Sequence, residues 1–282
     1  MRVLLLGAGG MLGHDLAAAA PSGTELHAVT RNDLDITDTA ALGARIAALR
    51  PEVIVNAAGY TAVDRAETET EQAHRVNAVA VGELGKLAAR AGARVVHFSS
   101  DYVFSGTATR PYREGDPTDP VNVYGATKLA GERALGHSAA EWLVVRTQWL
   151  FGTHGTSFPR TMWQRARAGQ ATRVVNDQRG RPTYTKDLAA AVWRLVMIEA
   201  SGTHSVLHVA NAGEATWFDV AARVFARAGR SDLPAPCSTA DFPTPARRPR
   251  YSVLDTTRVD RLLGGPLPGW EEAVDRFLSS LL

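Results

Sequence analysis

The 282-residue sequence predicts an α/β fold, a doubly wound parallel sheet followed by a smaller α/β lobe towards the C-terminus. Three observations lead to it. Short apolar runs without polar alternation recur through the first half, as expected of strands buried on both faces. Helical patterns separate them, as parallel crossovers require. The first apolar run passes directly into a glycine cluster that opens a helix.

In chain order, "RVLLLGAGGMLGHDLAAAA" gives a strand, a glycine turn and an alanine-rich helix ending at Pro21. "ELHAVT" (25–30) is a strand, "TAALGARIAALR" (39–50) a helix and "EVIVNAAG" (52–59) a strand. "TEQAHRVNAVAVGELGKLAARAG" (70–92) is one long helix, and "RVVHFSS" (94–100) the next strand. "EWLVVRTQWLF" (141–151) is a buried strand that carries Trp149 near its end. Strand–helix alternation of this kind makes the sheet Rossmann-type. A nucleotide lobe is expected over residues 1–150, its sheet completed by a return segment near 174–200. The smaller substrate lobe is expected over 151–173 and 201–282, where proline is frequent and the patterns are broken.

Composition removes several function classes. With 31 Lys and Arg against 29 Asp and Glu the net charge is +2, so no polybasic surface for nucleic acid is expected. The densest basic run, "ARRPR" (246–250), reads as a solvated turn. The apolar N-terminus is cut at Gly7, too short for a signal peptide's core, and no run of about 18 apolar residues follows. One cysteine, Cys237, excludes an internal disulfide and fits a reducing compartment. The expectation is a cytoplasmic protein that binds neither nucleic acid nor membrane.

"GAGGMLG" spaces Gly7, Gly10 and Gly13 three apart, with Gly9 as an extra. Glycine lets a backbone turn tightly and approach a pyrophosphate, whose charge then sits at the next helix's N-terminus. A bound dinucleotide is expected there, an architectural turn being the alternative. An acidic residue at the end of the second strand would favour NAD. This chain has Thr30 and Arg31, and an arginine pairing with a ribose phosphate favours NADPH, with NADH the alternative. Asp35 either helps seat the adenine end or caps the following helix.

The strand "RVVHF" runs into "SSDYVFSG", placing Ser99, Ser100, Asp101 and Tyr102 at the carboxyl edge of the sheet, where ligands bind. Tyr124 follows in "VNVYGATKLAGE" with Lys128 four residues later, on the same helical face. A free phenol, with a pKa of about 10, is a sluggish proton shuttle at neutral pH, and a neighbouring ammonium is expected to lower it. Ser100 would donate to a substrate carbonyl oxygen, Tyr124 would give the proton, and hydride would come from the cofactor. A tyrosine and lysine four apart are common by chance. The strand-end serine and the glycine turn give the pair its weight.

These residues resemble the extended short-chain dehydrogenase/reductase superfamily and, within it, the dTDP-4-dehydrorhamnose reductase family. "GAGGMLGHDL", "PEVIVNAAGYTAVDRAE" (51–67), "SSDYVFSG" and "YGATKLAGE" carry the superfamily pattern. "VVNDQRGRPTYTKDLA" (174–189), "HVANAGEATWFDVAARVF" (208–225) and "RRPRYSVLDTTRV" (247–259) are similar to segments specific to this family. The resemblance implies reduction of the 4-keto group of a dTDP-6-deoxy-L-hexulose to dTDP-L-rhamnose by Ser100, Tyr124 and Lys128. It implies a cofactor lined by Gly7, Gly10, Met11, Leu12, Gly13, Arg31, Asp35, Ile36, Ala57, Ala58 and Thr61, with Tyr124 and Lys128 also touching it. Asp101, Tyr102 and Trp149 would join Ser100 and Tyr124 on the hexose, core packing being the alternative for both aromatics.

"LPAPCSTADFPTPARRP" (233–249) is expected to form a loop over the nucleotide sugar, where Arg247 or Arg248 meets a phosphate or stays solvated. Ser157 stands where the family commonly has asparagine before Phe158, which removes an expected nucleotide contact. Asp15 matches one position of a magnesium site that some members hold at a dimer interface, but the other ligands do not line up. No required metal is expected, and a homodimer is compatible with the resemblance. His204 and His208 lie in a strand-like stretch, where i and i+4 are about 13 Å apart, too far for a shared ion. Two other readings stand beside the reductase. One is a related sugar-nucleotide reductase or epimerase of antibiotic deoxysugar synthesis, such as that of dihydrostreptose. The other is a catalytically silent NADP-binding regulatory subunit, which would not need Ser100, Tyr124 and Lys128 together.

Overall fold

Alternate side chains of the first strand, β1 (Arg2–Leu6), enter two different cores: Val3 and Leu5 one, Leu4 and Leu6 the other. That is the burial expected of a central parallel strand covered by helices on both faces. In the computed structural model, which describes residues 1–198 and 204–282, six parallel strands build this sheet. The others are β2 (Glu25–Val29), β3 (Val53–Asn56), β4 (Arg94–Ser100), β5 (Trp142–Thr147) and β10 (His204–His208). Their order is β10-β5-β4-β3-β1-β2. The direction of winding reverses between β1 and β3, and the crevice beyond their carboxyl ends is where such sheets bind ligands.

Helix α1 (Met11–Ala18) packs on one face with α8 (Thr185–Ile198) and α10 (Thr257–Leu263). On the other lie α2 (Thr39–Leu49), α5 (Ala80–Ala91) and α6 (Val123–Gly136), joined through short α3 (Val63–Ala66) and α4 (Thr70–His74). Asp38 caps α2 by accepting from Ala41 N, and Arg50 ends that helix in the left-handed region at φ 49°.

Around the aromatic core of Phe151, Tyr184, Phe225, Trp270 and Phe277 a second layer forms. It comprises α7 (Phe158–Arg167), α9 (Trp217–Arg227) and α11 (Trp270–Ser279). Three two-stranded ladders complete it. β6 (Leu150–Phe151) pairs with β9 (Thr183–Tyr184), β7 (Thr172–Val175) with β12 (Pro234–Cys237), and β8 (Arg179–Gly180) with β11 (Ala215–Thr216).

Four expectations change here, and a fifth lies outside the described residues. The segment near 174–200 does not complete the main sheet: α8 covers a face, and β10 supplies the sixth strand beside β5. The lobe boundary placed near residue 200 lies outside the described residues. The strand expected over 141–151 breaks after Thr147, because Trp149 turns into the left-handed region at φ 49°. The helix expected over 70–92 contains a π-turn at Arg75–Val79, and the segment 233–249 is a loop that also carries β12. Periodicity alone does not reveal a π-turn or a single left-handed residue.

Candidate active site

The glycine turn joins β1 to α1 as its spacing predicts. Gly7 adopts φ +79°, and a Cβ on it would lie 2.5 Å from Ala58 N. A Cβ on Gly13 would collide with the Gly7 carbonyl oxygen, so that glycine is needed for the helix to sit against the turn. Gly10 caps α1 without any side-chain bond, leaving the first amides of the helix free for an anion.

Beside this turn opens a cleft of about 570 Å³. Gly7, Gly10, Arg31, Asp35, Ile36, Ala57, Ala58 and Thr61 line it, as expected. Five other expected cofactor residues do not, Tyr124 and Lys128 of α6 among them. Leu12 is buried in the core, Gly13 is enclosed by the turn, and Met11 packs against Gly152. The cleft also takes in Gly59, Tyr60, Arg65 and Glu69, which the motif did not mark. There the Tyr60 hydroxyl donates to Glu69 at 2.7 Å, and Arg65 pairs with the same carboxylate.

Arg31 is exposed and pairs with Asp35 at 3.3 Å, while Asp35 also accepts from Thr37 N. These contacts hold the Asp35 carboxyl below its ordinary value, chiefly through the Thr37 amide. Asp35 therefore orders the arginine as well as the turn after β2.

At the end of β4 the expected reaction residues meet. Ser100 Oγ donates to Asp101 Oδ1 at 2.9 Å and accepts from Tyr102 N at 3.2 Å. Asn122 caps α6 by accepting from Gly125 N at 2.8 Å and so fixes the start of the helix that carries Tyr124 and Lys128. Gly125 and Gly131 let α6 lie directly on backbone, since a Cβ on either would strike the carbonyl oxygen of Tyr102 or Asn77. The Tyr102 and Tyr124 rings meet edge to face at 5.8 Å.

Burial dominates the electrostatics. It pushes the Tyr124 phenol up to about 12, although a hydrogen bond with Ser100 pulls the other way. This runs against the expectation of a lowered phenol: desolvation is the largest influence, and the Asp101 carboxylate adds to it. Burial lowers the Lys128 ammonium to about 8, with Glu132 opposing. Asp101, 2% exposed, is pushed up to about 7 by burial; Ser252 and Ser100 offset that only in part, and its Oδ2 meets no partner at hydrogen-bond geometry.

Trp149 stacks on Trp217 with ring centroids 3.7 Å apart, and Gly180 leaves room for its indole. Trp217 in turn donates from Nε1 to Gln178 at 3.1 Å. Trp149 is thus a half-buried wall braced by a residue the sequence reading did not single out.

A second cleft borders Gly106, Thr107, Asp177, Arg179, Arg250 and Tyr251, and its continuation adds Arg247 and the prolines of 243–245. Arg248 does not offer a free charge there. It is bound bidentately to Asp64 at 2.8–2.9 Å, which ties the 244–248 loop to α3. Arg247 is exposed, and its carbonyl accepts from Asn122.

Ser157 caps no helix amide, and its Oγ is buried without a partner. Asp15 is buried, accepting from the Thr185 hydroxyl at 2.5 Å across α1 and α8, and no cluster of three metal-ligating side chains occurs among the described residues. His208 is buried, its Nδ1–H donating to Tyr112 O at 3.1 Å, and burial lowers it to about 3. His204 meets Ala140 O at 3.0 Å. No helix among the described residues is long and apolar enough to cross a membrane.

Comparison with known proteins places this geometry. The family model described as RmlD substrate binding domain matches residues 1–282. dTDP-4-dehydrorhamnose reductase of Mycolicibacterium smegmatis is 42% identical over 286 residues, covering 100% of this chain and 86% of that protein. A probable dTDP-4,6-dihydroxy-2-methyloxan-3-one 4-ketoreductase of Streptomyces antibioticus is also 42% identical, covering 100% and 96%. A crystal structure of dTDP-4-dehydrorhamnose reductase from Bacillus anthracis strain Ames in complex with NADP superposes with a TM-score of 0.93 at 33% identity, covering 99% of each chain.

Proposed function

We propose, since the chain belongs to the RmlD family of dTDP-4-dehydrorhamnose reductases, that it reduces the 4-keto group of a dTDP-6-deoxy-L-hexulose to give dTDP-L-rhamnose. NADPH is the reductant, with NADH the weaker alternative, and the reaction takes place in the cytoplasm. The uncapped N-terminus of α1, the Cβ-free turn and the adjoining cleft fit a dinucleotide's pyrophosphate and adenosine. The dinucleotide supplies the hydride.

This chain's own residues do the rest. Tyr124 Oη gives its proton to the carbonyl oxygen as hydride reaches the carbon. A phenol pushed up to about 12 stays protonated at neutral pH, which suits a donor in the reducing direction. Ser100 exchanges its bond to Asp101 for one to the carbonyl oxygen, where negative charge grows. Lys128 holds the nicotinamide ribose and, while protonated, stabilises the phenolate left behind. Asp101, Tyr102 and Trp149 face the hexose. Arg179, Arg247 and Arg250 line the cleft that accepts the diphosphate end.

The observation that carries this reading is the meeting of the Ser100 and Tyr124 hydroxyls at the end of β4, with Lys128 one turn further along α6. The test is to incubate purified protein and NADPH with a panel of dTDP-4-keto-6-deoxyhexoses and follow nicotinamide absorbance and product stereochemistry. Turnover greatest on dTDP-4-keto-L-rhamnose supports it; no turnover on any member refutes it.

The equal identity to the Streptomyces antibioticus protein favours a second reading, reduction of the same carbonyl on another deoxysugar of antibiotic synthesis. Both readings use the same machinery at C4 and part only on which sugar the pocket admits. The same panel separates them. The regulatory-subunit reading fails if turnover is seen and disappears in Tyr124→Phe. General acid catalysis is worth about 10²- to 10⁴-fold, and cofactor affinity should stay near that of wild type.

A further inference from the structure

Two polar residues lie side by side between apolar neighbours in two fully buried strands. Asn56 ends β3, and His97 sits within β4 as its register partner, both with no exposed surface. A buried asparagine and imidazole side by side in a sheet interior cost stability unless every polar atom is matched. Their matching has a direction. Asn56 Oδ1 accepts from Ala58 N at 3.2 Å, which turns Nδ2 towards His97 Nδ1, also at 3.2 Å. An amide NH₂ only donates, so Nδ1 must offer its lone pair and the proton of a neutral imidazole must lie on Nε2. His97 Nε2 is 3.4 Å from Lys128 Nζ.

A free amine can accept that N–H, whereas an ammonium facing it would set donor against donor. To receive an ammonium, His97 would have to move its proton to Nδ1, and Asn56 would then have to turn over and abandon Ala58 N. Burial keeps His97 neutral well below its ordinary value, so charging the imidazole is no escape.

We propose that His97, oriented by Asn56, is a positioning residue that donates Nε2–H to the Lys128 amine and so fixes the place of Nζ and disfavours its ammonium form. The remaining groups around Nζ leave this role to His97. Glu132, one turn on, favours the ammonium but is bound bidentately by Arg146 at 2.7–2.9 Å. Tyr124, one turn back, is a neutral phenol. From the π-turn, Asn77 spends its amide on Tyr60 O and Thr127 Oγ1. From the loop after β3, a Cβ on Gly59 would lie 3.9 Å from Nζ.

The consequence concerns the reaction and rests on the reading above. Lys128 passes between amine and ammonium near working pH, so it can take up a proton and return one to the Tyr124 phenolate after each turnover. The proton balance closes: solvent protonates the amine, the ammonium reprotonates the phenolate, and the amine is restored.

The test uses the whole unliganded protein and does not depend on turnover. The chain has three lysines, Lys86, Lys128 and Lys186, so labelling with carbon-13 at lysine Cε gives few signals, and Lys128→Met assigns the one of interest. The expected titration midpoint of Lys128 in wild type is about 8. In His97→Gln, whose amide oxygen can face the ammonium from the position of Nε2, the midpoint should rise by about one pH unit, a tenfold change. Above the Lys128 titration, nitrogen-15 spectra of wild type should show His97 neutral with its proton on Nε2. An unchanged midpoint in His97→Gln, or a proton on Nδ1 above the Lys128 titration, overturns the proposal. Should His97→Gln fail to fold, the wild-type tautomer decides alone. Turnover by Lys128→Met would sink the catalytic reading while leaving the tautomer result untouched, so the two failures are distinguishable.

Discussion

Lys128 is 5% exposed, and its ammonium is lowered from an ordinary 10.5 to about 8 by burial. The native state therefore holds this proton less tightly than the unfolded chain does. At about 1.36 kcal/mol per pH unit, the gap from 10.5 to 8 means that the buried ammonium costs ~3 kcal/mol at pH 7. Methionine has nearly the same length and carries no charge, so Lys128→Met should remove that cost while abolishing turnover. The sign follows from the lowered value. Between about pH 8 and 10.5 the unfolded state binds more protons, so wild-type stability should climb with pH through that window. Urea unfolding of the unliganded proteins at pH 7 and again near pH 10 measures the difference. The variant should be the more stable at pH 7, by up to ~3 kcal/mol, and the margin should shrink at the higher pH. A variant less stable than wild type at pH 7, or a margin independent of pH, would refute the reasoning, because the ammonium would then be well matched in its pocket.

Arg31→Ala should lower the NADPH-to-NADH ratio of kcat/KM, by about 3- to 10-fold for an exposed, charge-assisted contact already shared with Asp35; steady-state kinetics with each cofactor checks it, and an equal ratio would remove Arg31 from the phosphate site. Trp217→Leu takes away the ring that braces Trp149. An aromatic stack contributes about 0.5–1.5 kcal/mol, so KM for the sugar nucleotide should rise several-fold with kcat little changed. A fall in kcat at constant KM would place Trp217 nearer the reacting atoms than the stack implies.

The main sheet is legible because its central strands are buried on both faces and helical patterns separate them. "RVVHFSS" matches β4 residue for residue. The glycine turn was legible because backbone geometry demands glycine at Gly7 and Gly13 whatever the ligand. Less was visible where one residue overrides a pattern. Trp149 breaks its strand by adopting a left-handed φ that only the finished stack with Trp217 explains. The closing strand at 204–208 is half polar because it lies at the sheet edge, and so it reads weakly against the apolar strands. Side-chain pairing was the least legible level. For Arg247 and Arg248 the sequence leaves a phosphate contact and a solvated charge both open, and Arg248 is instead held by Asp64; the phenol's direction reverses because Tyr124 is buried. One signal was present and unused: Asn56 and His97 are polar residues in two consecutive apolar strands, and buried polar residues in such places mark a network.

The most direct measurement is the fate of the transferred hydrogen. Purified protein is supplied with NADPH deuterated at the hydride-donating position of the nicotinamide and with dTDP-4-keto-L-rhamnose, and the product is read by mass spectrometry and proton NMR. One deuterium on C4 of the sugar, with none appearing when Tyr124→Phe replaces the wild type, is the predicted result. Product formed without deuterium, or carrying it on another carbon, would contradict the assignment of a C4 ketoreductase.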